Sequence, residues 1–225
     1  MGTPTAYAFV DLETTGGSAQ HDRITEIAII RVDGERVTRY QSLLNPQQHI
    51  SYFIESITGI SNAMVADAPE FAEVADEVWT WLQDCVFVAH NVRFDYGFLK
   101  QAFERVGKDF QPEQLCTVKL SRRLYPEHKH HGLDQLIQRH GLRMSQRHRA
   151  MADADAIYQF WQIVQQEFAA DVLQAACLKV MNKPSLPVYL NPLSIDTLYN
   201  GYGVYLIYGD NDLPLYIGKS KTVKT

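Results

Sequence analysis

The stretch "FVDLETTG", Phe9 to Gly16, places the strongest condition on the fold. Its apolar residues mark a strand, yet it carries two carboxylates, Asp11 and Glu13, with one leucine between them. Side chains alternate across a strand, so Asp11 and Glu13 share one face while Val10 and Leu12 share the other. Like charges side by side repel, and burial strips their hydration. A fold built around this strand must turn its acidic face to water or supply a cation there.

The neighbouring segments predict a mixed sheet. "TAYAFVDLET" and "ITEIAIIRV" read as strands, and "VDGERV" supplies an Asp33-Gly34 turn into a third, "RVTRYQSLLNP". "APEFAEVADEVWTWLQ" has apolar residues at helical spacing, with Pro69 near its start. It leads into "CVFVAHN", a short apolar run that reads as a strand buried on both faces. Helices follow in "FDYGFLKQAFERVG", closed by Gly107, in "TVKLSRRLYP", and in "GLDQLIQRHG", closed by Gly141. A long helix is expected from about Arg149 to Phe168, and "AADVLQAACLKVM" adds another. Antiparallel strands first, then helices alternating with strands, give an α/β class: a mixed sheet covered by helices.

"NKPSLPVYLNP" holds three prolines, has neither helical nor strand period, and reads as a linker. The apolar pattern restarts in "GYGVYLIYGDNDLPLYIGKSKTVKT" as two short strands around "GDND". A single hydrophobic core fits 225 residues of which 46% are hydrophobic. No apolar run approaches the roughly 20 residues that span a bilayer. "MGTPTAYAF" lacks the basic-then-apolar order of a signal peptide, so a cytoplasmic protein with no membrane partner is expected. Cys85, Cys116 and Cys177 have neither metal-pair spacing nor an even framework and read as reduced core thiols.

The formal net charge of -5 argues against a protein that coats nucleic acid. The charge is uneven, however: Lys119 to Arg149 holds eight Lys/Arg against two acids, with five histidines. That stretch is either a stripe that holds a phosphate backbone or a solvated surface. "EHKHHG", with His128, His130 and His131, has no cysteine or carboxylate partners at ligand spacing and reads as a solvated loop.

Three further places supply partners for Asp11 and Glu13. Asp95 follows the buried strand at the start of a helix, where active-site groups in open α/β sheets gather, or where an acid simply meets the helix dipole. Asp153 and Asp155 lie in "HRAMADADA", inside a helix whose alanines allow close approach to a sheet; one of the two faces solvent. His148 stands five residues before Asp153 and is either a proton-transfer group or a surface histidine. Hard oxygen ligands in this number suit magnesium or manganese. Two such ions about 4 Å apart bind both oxygens of an in-line displacement at phosphorus. Metal-assisted phosphodiester hydrolysis is the reaction class that follows.

"FVDLETTG", "AHNVRFDYGFL" and "HRAMADADA", in this order, resemble the three motifs of the DnaQ-like (DEDDh) 3′–5′ exonucleases, a family that includes the epsilon proofreading subunit of bacterial DNA polymerase III. The likeness covers residues 5–170. It implies an RNase H-like fold and four acids, Asp11, Glu13, Asp95 and Asp153, holding two Mg2+ or Mn2+ ions. His148 matches the family's general base, and Asp155 becomes a bystander. The resemblance also implies contacts to the terminal nucleotide from Leu12, Thr14 and Thr15, from Ile57 and Thr58 of "SITGIS", and from Asn91 and Phe94. Many relatives have histidine where Thr58 stands. The implied partners are DNA 3′ ends and a polymerase or repair protein.

"GVYLIYG" and "LYIGKS" are similar to the opening of the GIY-YIG nuclease domain of UvrC and Cho, with Tyr205 and Tyr216 at the motif tyrosines, followed by Gly218 and Lys219. That family's catalytic arginine and metal-binding glutamate lie farther along than Thr225, so an incomplete, non-cleaving segment is expected. The expected layout is an exonuclease domain over 1–180, a linker over 181–197 and the GIY-YIG-like segment over 198–225. An RNA exonuclease of the same superfamily and a catalytically silent DNA-tethering module are the competing readings. The choice between DNA and RNA rests on how the pocket treats a 2′-hydroxyl.

Overall fold

The computed structural model describes residues 6–144, 147–181, 201–208 and 214–220. The chain forms two compact units, Met1–Met181 and Asn182–Thr225.

In the first unit, β1 (Ala6–Thr14), β2 (Ile24–Asp33) and β3 (Arg36–Leu43) form the antiparallel opening expected from the alternating pattern and the Asp33-Gly34 turn. Gly34 takes a left-handed φ of 59°, which costs glycine nothing. Then come α1 (Tyr52–Thr58), α2 (Asn62–Val65), α3 (Phe71–Leu82), β4 (Val86–Ala89) and α4 (Arg93–Arg105). They are followed by β5 (Gln114–Cys116), α5 (Thr117–Leu124), α6 (Leu133–His140), α7 (Ala150–Glu167) and α8 (Ala170–Met181). The sheet order is β3-β2-β1-β4-β5, with β4 parallel to both β1 and β5. The carboxyl ends of β1 and β4 therefore lie at the same edge.

Strand alternation divides the core into two layers. Tyr7 and Phe9 point toward α7, where Tyr7 packs on Trp161 at 4.9 Å and Phe9 on Tyr158 at 5.3 Å between ring centres. Asp11 and Glu13 continue that row. The opposite face carries Ala8, Val10 and Phe87 against α3 and α4, and Trp79, Phe103 and Phe110 join Phe87 in an edge-to-face cluster. Ala150, Ala154 and Ala156 are fully buried, so the start of α7 approaches the sheet closely. All three cysteines are free and buried. None of the described helices is long and apolar enough to cross a membrane.

Ile50, Ile60 and Val65 form a separate small cluster under α1 and α2. That segment is joined to the rest by the Gln48 amide, which donates to Thr15 Oγ1, and by backbone bonds from Leu44 to Thr25 and from Asn45 to Pro69.

In the second unit, β6 (Gly203–Tyr208) and β7 (Pro214–Ser220) pair antiparallel, with Tyr205 opposite Gly218 and Ile207 opposite Tyr216. Apart from Met181, which ends α8, the expected linker over 181–197 lies outside the described residues, as does the "GDND" turn.

Candidate active site

The sheet brings three separate motifs to one edge. β1 presents Asp11 and Glu13 from its α7-facing side. Asp95 sits in the first turn of α4, 3% exposed, just beyond the carboxyl end of β4. Asp153 sits in the first turn of α7, 4% exposed, among the alanines that press that helix on the sheet. His148 is exposed one residue ahead of the α7 cap, with a left-handed φ of 57°. One ligand atom each from Glu13, His148 and Asp153 lie within 4.8 Å of one another. Asp155, two residues on, turns away to Arg39 and Gln159.

The electrostatics express the crowding. Loss of hydration, then Asp95, Asp153 and Glu13, raise Asp11 well above the usual carboxylate range. Burial likewise raises Asp95, against backbone hydrogen bonds from its own amide and that of Leu12. Burial, Asp153 and Glu26 push Glu13 up to about 7. Burial raises Asp153, opposed by Arg147. Four acids that cannot comfortably ionise together, with Oδ1 of Asp153 buried and without a hydrogen-bond partner among the described residues, fit a hard divalent cation.

The exonuclease family profile RNase_T matches residues 8–160, a span that contains all four acids and His148. The chain belongs to the RNase_T exonuclease family. PolC-type DNA polymerase III of Staphylococcus saprophyticus is 39% identical over 163 residues, covering 71% of this chain and 11% of the relative. The Staphylococcus aureus protein of the same name is 40% identical over 165 residues, with the same coverage. The chain thus spans about a tenth of the length of these curated relatives. Exonuclease X in complex with 5′-overhanging duplex DNA is 26% identical with a TM-score of 0.58, covering 76% of this chain and 99% of that one. The zinc-bound complex of E. coli exonuclease I with single-stranded DNA is 23% identical with a TM-score of 0.68, covering 77% and 42%, a likeness of fold. The mixed sheet flanked by helices is the RNase H-like exonuclease fold.

Around the acids of this RNase_T domain, the residues expected at the terminal nucleotide fall into two groups. Ile57 is 41% exposed, Asn91 is exposed with a φ of 69°, and Phe94 is half-buried against Phe98 at 4.9 Å. Leu12, Thr14, Thr15 and Thr58 are buried. Thr58 Oγ1 donates to Ile54 O and accepts from Ile60 N, so its hydroxyl closes α1. Thr14 Oγ1 donates to Gly16 O, and Thr15 Oγ1 accepts from Arg23 N. A Cβ at Gly16 would meet the Asp22 carboxylate at 2.5 Å, so a side chain there would push that carboxylate away from the Ser18 amide it accepts from.

Several residues of the site carried no sequence signal. Arg147 bonds both Asp153 and Asp134, and Arg149 bonds Glu26. The basic stripe is therefore smaller than its composition implies, because two of its arginines are committed to internal acids. Arg122, Arg123, Lys129 and Arg143 remain exposed. His131 departs from the solvated-loop reading: it is 6% exposed, its Nε2 donates to His128 O, and its Nδ1 accepts from Ser121 Oγ. Burial pushes His90 down to about 4, so it is neutral at pH 7, with Nδ1 3.0 Å from Thr117 Oγ1.

The raised acids give a pH dependence of defined sign. Glu13 takes up its proton near 7 in the native state and at its ordinary 4.5 when unfolded. Native protein binds more protons within that window, so metal-free stability falls as pH rises through it. In chelator, calorimetry should give a higher melting temperature at pH 5.5 than at pH 8, and Glu13→Gln should flatten the difference. Equal slopes in the two proteins would contradict this electrostatic picture.

Proposed function

We propose that this domain is a metal-dependent 3′–5′ exonuclease that hydrolyses DNA phosphodiester bonds from the 3′ end, in proofreading or repair. The observation that carries the proposal is the convergence of Asp11, Glu13, Asp95 and Asp153 from three elements on one edge, with His148 exposed at its mouth. Two bound Mg2+ or Mn2+ ions would stabilise the attacking and leaving oxygens. The four acids would hold these ions. His148 accepts the proton of the attacking water from a position open to solvent. Exposed Ile57 and half-buried Phe94 offer apolar surface for a frayed terminal base, a sequence-tolerant contact. Asn91 supplies a polar contact, and Leu12, Thr14, Thr15 and Thr58 complete the contacts to the terminal nucleotide that the family resemblance implies.

The PolC-type relatives and the DNA bound to exonuclease X support DNA as the substrate, and a polymerase or repair protein as the partner. We read 1–180 as the exonuclease domain, 181–197 as a linker and 198–225 as a GIY-YIG-like segment, on the strength of Tyr205, Tyr216, Gly218 and Lys219 in its sequence.

The test is digestion of 5′-labelled single-stranded DNA and the matching RNA, with magnesium or with chelator. A ladder shortening one nucleotide at a time from the 3′ end, faster on DNA and dependent on metal, is the expected result. Faster cleavage of RNA would select the RNA exonuclease, and bound but uncut DNA the tethering module.

A further inference from the structure

β2 places Glu26 directly opposite Glu13 in the β1–β2 ladder, on the α7-facing side. Like charges so paired destabilise a sheet. The two glutamates have opposite surroundings. Glu26 is fully buried and receives four donors: Arg149 Nε at 3.1 Å, Arg149 Nη2 at 2.7 Å, Ala150 N at 3.0 Å and Gln41 Nε2 at 2.8 Å. A carboxylate has about four lone-pair directions, so these donors saturate it and leave none for a metal ion. Burial opposes its ionisation, but the bonds from Arg149, Ala150 and Gln41 outweigh this and hold it below the usual range.

The other end of the network is a strained residue. His148 adopts φ 57°, a left-handed conformation that a residue with a Cβ rarely takes. Such a conformation persists only where its surroundings over-determine it. Here both flanking residues are tied down: Arg147 Nε bonds Asp134 at 2.6 Å and its guanidinium also bonds Asp153, while Arg149 grips Glu26 through two parallel bonds. Arg149, the residue that caps α7, makes no side-chain cap bond. Glu26 takes that place from the neighbouring strand by accepting from the Ala150 amide.

We propose that Glu26 is a positioning residue for His148: through Arg149 and the Ala150 amide it fixes the chain at the start of α7 so that the imidazole stays beside Glu13 and Asp153. The inference rests on the hydrolytic reading of the site. Glu26 touches neither the reacting atoms nor the ions, and its effect passes entirely through His148.

The test is a double-mutant cycle on the full chain with the labelled DNA oligonucleotide and magnesium. Glu26→Gln should lower kcat by about 10–100-fold, as loss of a residue that orients a reacting side chain does, with KM changed less than about 3-fold. In the His148→Ala background the same change should lower the residual kcat by less than about 2-fold, because the group it positions is gone. The ring signals of His148, assigned by their loss in His148→Ala, should move in Glu26→Gln. Equal loss in both backgrounds, a change in KM alone, or unmoved ring signals would each overturn the proposal. If Glu26→Gln does not fold, Arg149→Lys carries the same cycle, keeping the charge and removing the two-pronged bond. Wild-type protein that binds DNA and leaves it uncut would defeat the hydrolytic reading instead, and the ring signals would still judge the positioning.

Discussion

Asparagine at Asp11 is expected to lower hydrolysis on the order of 10⁴-fold, as removal of a group acting within a catalytic unit does, and to raise the melting temperature of the metal-free protein. Opposite effects from one substitution follow from the crowding at the sheet edge. Asp11 is pushed up by lost hydration and by Asp95, Asp153 and Glu13, so its charge is a liability whenever no cation is present. Asparagine keeps the shape and removes the charge. Relieving about 1 kcal/mol of repulsion corresponds to roughly 2–4 °C in a domain of this size. Excess magnesium should reverse the order of melting temperatures, because only the wild type gains from binding the ion. The control is Asp155→Asn, which removes an acid paired with Arg39 on the outer side of α7 and should leave the rate within about 2-fold. An Asp11→Asn protein that cuts DNA at the normal rate would remove Asp11 from the metal site.

Alanine at His148 should slow the chemical step by about 10²–10⁴-fold, the range for a positioned acid–base group, with DNA affinity nearly unchanged. The distinction matters because exposed His148 lies where a strand could also rest on it. Single-turnover rates separate the two roles. Weaker DNA binding with an unchanged rate would make His148 a substrate contact. Glycine at 148 sharpens the test: it accepts φ 57° without strain and leaves space open to solvent. Added imidazole should therefore restore part of the rate in His148→Gly and none in Asp11→Asn.

The parts of this molecule legible in its sequence are those set by short-range rules. Strand alternation put Asp11 and Glu13 on one face, and the glycines at 107 and 141 ended helices in left-handed conformations, with φ 75° and 62°. The long helix runs Ala150–Glu167, within one residue of its expected ends. Helix α1 has a signature in its sequence too: Ser51 caps it by accepting from Ile54 N, and Gly59 closes it with φ 70°. β5 was beyond reach, since its three residues are a strand only by pairing with β4. Glu26, Arg149 and Arg147 looked like ordinary charges. Their meaning depends on the β1–β2 register and on where α7 lands, both set by contacts distant in sequence. The burial of His131 is illegible for the same reason, because it depends on where Ser121 and the His128 carbonyl meet the ring.

The segment bearing Ile57 has a different mechanical character from the elements that carry the acids. Its own core is three buried side chains, Ile50, Ile60 and Val65, tied to the sheet by a few hydrogen bonds. The acids stand on strands and helices locked into the main core. Opening a segment costs free energy in proportion to the apolar surface it uncovers, so this one can open at far less cost than global unfolding. If Ile57 meets a terminal base as proposed, that contact would come from a compliant jaw while the acids form a rigid anvil, and the chemistry would keep its geometry while the grip breathes.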